Sequence, residues 1–142
     1  MKKQTIYFQI LFLSFFISCH EVSCDSLRHE LNNTSFSPSN GSLIHDSIII
    51  RASFDYESDY NEEENIYATM YAYDVDGKRL YLVSKRLKSN IGYETLEFQV
   101  DDEFLDDPVY DYPFRLILVL ERVNSLMEVE MLEKSGIVTY YQ

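Results

Sequence analysis

From residue 43 onward, apolar and polar side chains alternate with the two-residue period of half-buried strands. Ser47 to Tyr56 sets Ile48, Ile50, Ala52 and Phe54 on one face, and Ile49, Arg51, Ser53 and Asp55 on the other. Asn65 to Asp74 repeats the pattern, with Tyr67, Thr69, Tyr71 and Tyr73 opposite Ile66, Ala68, Met70 and Ala72. Both of its faces are apolar enough to predict a central strand. Asp74-Val75-Asp76-Gly77 follows, and Asp-Gly accepts the positive φ of tight antiparallel hairpins, so Leu80 to Ser84 is the returning partner. Tyr93 to Val100 turns Leu96, Phe98 and Val100 inward. Phe114 to Glu121 is the most hydrophobic run beyond the N-terminal segment and predicts a buried central strand. Leu126 to Glu133 and Gly136 to Tyr141 complete the series, with a turn or bulge at Lys134-Ser135-Gly136.

About seven short strands with turn signals between them predict an all-β fold, an antiparallel two-sheet sandwich over residues 43–142. Neither a helix nor a fixed-period repeat is expected.

The N-terminus follows another pattern. Lys2 and Lys3 precede the largely apolar run Ile6 to Ile17, the charged and apolar regions of a signal peptide over residues 1–24. That run falls short of the about 20 apolar residues that cross a bilayer, so an extracytoplasmic location without a transmembrane helix is expected. Cleavage after Cys24 would have Val22 and Cys24 at the −3 and −1 positions. Alternatively, Phe16-Ile17-Ser18-Cys19 resembles a lipoprotein box, which in a bacterial host makes Cys19 a lipidated first residue. A third reading keeps Cys19 and Cys24 in a short disulfide loop. Residues 25–42 are polar and rich in Ser and Asn, the composition of a mobile arm. The arm carries glycosylation sequons at Asn32, Asn33 and Asn40, which count in a eukaryotic host.

Charge narrows the partners. With 24 acidic against 12 basic residues and a net charge of −12, the chain repels nucleic acid and anionic lipid. Basic proteins, cations and calcium are the counterparts it favours.

Ser37-Pro38-Ser39-Asn40-Gly41-Ser42 ahead of the strand from Ser47 resembles the opening of immunoglobulin-like and fibronectin-type modules of surface and secreted proteins. Tyr110-Asp111-Tyr112-Pro113-Phe114 is similar to their entry into the penultimate strand, where a tyrosine anchors the corner. The resemblance spans Phe36 to Gln142; the Cys, Trp, Cys set of immunoglobulin domains is absent. It implies a sandwich with a role in adhesion, binding or assembly, and it transfers no site residues. A lipoprotein subunit of a bacterial envelope assembly fits the same features.

Catalytic parts are sparse. His20, His29 and His45 all precede the predicted strands, so a histidine-based nucleophilic site lacks its base, and four glycines leave no phosphate loop; no enzyme is expected. Two features remain. Asp101, Asp102, Asp106 and Asp107, joined by Glu103 and Asp111, form an acidic segment of the kind that supplies oxygen ligands to calcium. No other cofactor is expected. Lys78, Arg79, Lys85, Arg86 and Lys88 gather beside Tyr67, Tyr71, Tyr73 and Tyr81. Tyrosine and arginine dominate recognition surfaces, so Tyr71, Tyr73, Arg79, Tyr81 and Arg86 are the candidate binding residues for a protein partner. The leading expectation is a non-enzymatic binding or assembly module. The alternative is a calcium-dependent adhesion or regulatory domain.

Overall fold

The computed structural model describes residues 28–59 and 65–142. The predicted signal segment with Cys19 and Cys24, and the acidic residues Glu62 to Glu64, lie outside the described residues. Eight strands and one short helix follow in order: β1 (His29–Ser37), β2 (Ile49–Ser58), β3 (Asn65–Tyr73), β4 (Arg79–Arg86), β5 (Ile91–Gln99), α1 (Asp102–Asp106), β6 (Phe114–Val123), β7 (Val129–Lys134) and β8 (Val138–Tyr140). They form two antiparallel sheets, one ordered β1-β2-β5 and the other β4-β3-β6-β7, with β8 also paired to β6.

Period-two alternation builds the core. Ile50, Ala52, Phe54 and Tyr56 of β2 and Leu96 of β5 share one buried cluster with Ile66, Ala68, Met70 and Ala72 of β3 and Leu116, Leu118 and Leu120 of β6. Burying the Ile, Leu, Phe and Met side chains among them contributes roughly 1.5–3 kcal/mol each, which is why these two sheets face one another. β6 is buried along most of its length because β3 lies on one edge and β7 and β8 share the other. The Asp-Gly hairpin forms as expected: Gly77 takes φ +77°, and the Asp74 carboxylate accepts from the amides of Asp76 and Lys78 at 2.9 and 2.7 Å. Gly92 is required for a different reason: a Cβ there would lie 2.9 Å from the Tyr56 hydroxyl.

Three features correct the sequence reading. Residues 29–37 are not a mobile arm but strand β1, paired with β2 from His29↔Ser58 to Ser37↔Arg51. Leu31 and Phe36 bring it onto the core. Next, a helix does occur. In α1, Asp101 caps the first turn by accepting from the Phe104 amide at 2.8 Å, and the Phe104 ring packs 4.5–5.0 Å from those of Phe98, Tyr110 and Phe114. Finally, the β1–β2 connection is clasped by the far end of the domain. Tyr140, fully buried, donates to the Pro38 carbonyl at 2.7 Å; the Thr139 amide donates to Asn40 Oδ1 at 2.7 Å; and the Ile44 amide donates to the Tyr141 carbonyl at 2.7 Å.

Candidate binding face

The outer face of the five-stranded sheet collects the aromatic and cationic side chains. In β3, inward Ile66, Ala68, Met70 and Ala72 leave Tyr67, Thr69, Tyr71 and Tyr73 facing out. Across from them on β4 stand Arg86, Ser84, Tyr81 and Arg79 respectively. Arg79 and Arg86 are an odd number of residues apart, so simple alternation would send them to opposite faces. A bulge at Leu82, between the pairs Tyr71↔Tyr81 and Met70↔Val83, shifts the phase and returns Arg86 to the side of Arg79. The 3.1 Å bond from Thr69 Oγ1 to Ser84 Oγ confirms the shared face. All five predicted binding residues therefore lie on one surface, a ladder of Arg79/Tyr73, Tyr81/Tyr71, Ser84/Thr69 and Arg86/Tyr67.

Lys85, grouped with these cations by sequence, points the other way. It pairs with Ala68 and forms an ion pair with Glu94 of β5, bridging the two sheets.

Beneath the ladder lies a second layer of buried side chains. Ile117, Val119 and Glu121 of β6 face outward with Tyr71, Thr69 and Tyr67 as neighbours, yet they are only 2%, 0% and 5% exposed. Tyr71 accounts for part of this cover. Its hydroxyl donates to the Glu121 carboxylate at 2.7 and 2.9 Å, and Glu121 lies four residues beyond its own cross-strand neighbour Ile117, so the side chain runs along β6 past Val119. Desolvation, then the bond and charge of Glu121, push the Tyr71 hydroxyl up to about 12. The Arg79 guanidinium stacks 5.2 Å from the Tyr71 ring and reaches Met131 Sδ at 3.5 Å. Arg115 stacks 5.0 Å from Tyr73 while pairing with Asp111.

Sequence reasoning missed Glu121, Met131 and Arg115. Their role comes from cross-strand register, to which pattern along a single strand is blind. Beyond Met131, the exposed side chains of Val129, Leu126 and Met127 extend the surface along the β6–β7 hairpin.

The acidic segment is organised differently. The Asp101 carboxylate is used in the helix cap, Asp107 accepts from the Val109 amide at 2.9 Å, and Asp111 holds Arg115. Among the described residues, no group of three or more His, Cys, Asp or Glu is placed to hold a metal ion, so the structure does not gather Asp101, Asp102, Asp106 and Asp107 into a calcium site. The sequons fall on and just after β1. Asn32 and Asn33 are exposed at the β1 bulge, where Asn33 takes φ +49° and donates to Asp55 at 2.6 Å; Asn40 is exposed in the following turn. Among the described residues, no helix is long and apolar enough to cross a membrane.

No protein-family model matches the chain, and no curated protein matches it.

Proposed function

We propose that this domain is a non-enzymatic binding or assembly module acting outside the cytoplasm, secreted or tethered through its N-terminus, and that it engages a protein partner through the outer face of the five-stranded sheet. One observation carries the reading: Tyr71, Tyr73, Arg79, Tyr81 and Arg86 all lie on that face, with Tyr71 held by Glu121 and Arg79 by the Tyr71 ring and Met131. Aromatic and arginine side chains dominate binding energy at interfaces. The strand partition, first, second and fifth against third, fourth, sixth and seventh, supports placing the sandwich in the immunoglobulin-like class, with the fourth strand on the larger sheet. The charged and apolar N-terminal pattern supports export.

A photo-crosslinking residue at Tyr81, in protein returned to its native host, tests the reading. It should capture one dominant protein, and Tyr71→Ala or Arg86→Glu should abolish that capture while a crosslinker at Ser53, on the opposite face, captures nothing. Equal capture from both faces, or capture untouched by the substitutions, would refute it.

A further inference from the structure

Half of the described cations of this acidic chain already hold a carboxylate. Arg28, Arg51, Lys85, Arg115 and Arg122 pair with Glu30, Glu97, Glu94, Asp111 and Glu130. Among the described residues, Lys78, Arg79, Arg86, Lys88 and Lys134 form no ion pair, although acidic residues outnumber basic ones by 24 to 12. Four of these five fall within β4 or at its ends, on an edge strand of the sheet.

Resting on the binding reading above, we infer that the partner presents an extended acidic segment along β4, with carboxylates meeting Arg79 and Arg86 and an apolar or aromatic group packed on Tyr81 between them. The bulge at Leu82 puts both guanidinium groups on one face, each beside a tyrosine, and Tyr81 between them is 62% exposed. Seven steps at about 3.3 Å separate the arginines by on the order of 20 Å, a length that an extended chain spans and a compact anion does not. Guanidinium groups bind carboxylates in bidentate fashion. The net charge of −12 does not forbid this, because salt screens charge beyond about 8 Å at physiological ionic strength; a carboxylate in contact feels the unpaired arginines first. A polynucleotide, with its close-set phosphates, would meet four cations and then the acidic remainder.

The test uses the full mature protein and three fluorescein-labelled probes: a 12-residue peptide alternating Glu and Tyr, its Gln-Tyr counterpart, and a single-stranded oligothymidylate. The Glu-Tyr peptide should bind saturably, at least tenfold more tightly than the Gln-Tyr peptide. The R79Q/R86Q double variant should erase that tenfold difference, and added salt should weaken only the Glu-Tyr complex. These surface changes leave the core untouched, and an unchanged unfolding midpoint verifies it. If both peptides bind alike and only Tyr81→Ala abolishes binding, the face binds but the acidic partner is wrong. Tighter binding of the oligonucleotide, or no binding of either peptide, overturns the inference, while capture at Tyr81 judges the binding reading separately.

Discussion

The two sheets turn unlike surfaces to solvent. On the β1-β2-β5 side, outward residues are matched locally: Arg51 with Glu97 at 2.6 Å, Ser53 with Thr95 at 3.0 Å, and Asp55 with Asn33 at 2.6 Å. Each polar group finds its partner on the next strand, and nothing large is covered. On the β4-β3-β6-β7 side, long side chains cross two or three strands. They bury Ile117, Val119 and Glu121 outside the inter-sheet core, and among the described residues Arg79 and Arg86 pair with no carboxylate. The same alternation code thus produces one surface matched pair by pair and one whose long side chains lie beside a second buried layer.

The comparison breaks most sharply on stability. Ile117→Ala should cost about 2–5 kcal/mol in urea denaturation, the range for truncating a buried branched side chain. Ser53→Ala on the other face should stay within about 1 kcal/mol. Equal costs would mean that the buried layer under the tyrosines contributes nothing. Glu121→Ala comes next, at about 1–3 kcal/mol, because it strands the Tyr71 hydroxyl; Glu121→Gln, which keeps an acceptor, should cost less.

Alkaline titration compares the faces directly. Tyr71 is pushed up to about 12, whereas hydrogen bonding to Ser53 and then Thr95 holds Tyr93, on the opposite face, below its ordinary value. Ultraviolet absorbance of Tyr71→Phe should lose a late-ionising phenol and that of Tyr93→Phe an early one. Between about pH 10 and 12 the unfolded chain gives up the Tyr71 proton while the folded one keeps it, so stability is full below pH 10 and falls as pH rises towards 12. Tyr71→Phe should flatten that fall and Tyr93→Phe should not. The smallest effect belongs to Arg51→Ala, within about 1 kcal/mol, as for other exposed ion pairs; a larger loss would show that the polar face is a cooperative network.

Much of this was legible in the chain. The alternation at Ile50, Ala52, Phe54 and at Ile66, Ala68, Met70 located the inward faces, and Asp-Gly located a hairpin. Two of the features that stayed hidden share one cause, the phase shift of a bulge. Leu31 and Phe36 sit five residues apart, an odd spacing that conceals β1 until the irregularity between Asn32 and Ser35 is seen. Leu82 does the same to Arg79 and Arg86, which sequence joined only by proximity on a hairpin. In α1, a single capped turn is too short to show helical periodicity. The abundance of aspartates suggested ligands, but a cap and a turn use the same side-chain oxygens, and only coordinates reveal which is made.

The clasp of Tyr140 on Pro38 has a consequence in time. These partners are 102 residues apart, and contacts so distant along a chain are slow to form because the intervening loop must close first. During synthesis the wait is longer still. A nascent chain that has completed β1 through β7 lacks the residues that cover the β1–β2 connection and fill the lower half of β6's second edge. The domain therefore reaches its native state only when residues 138–142 have left the ribosome.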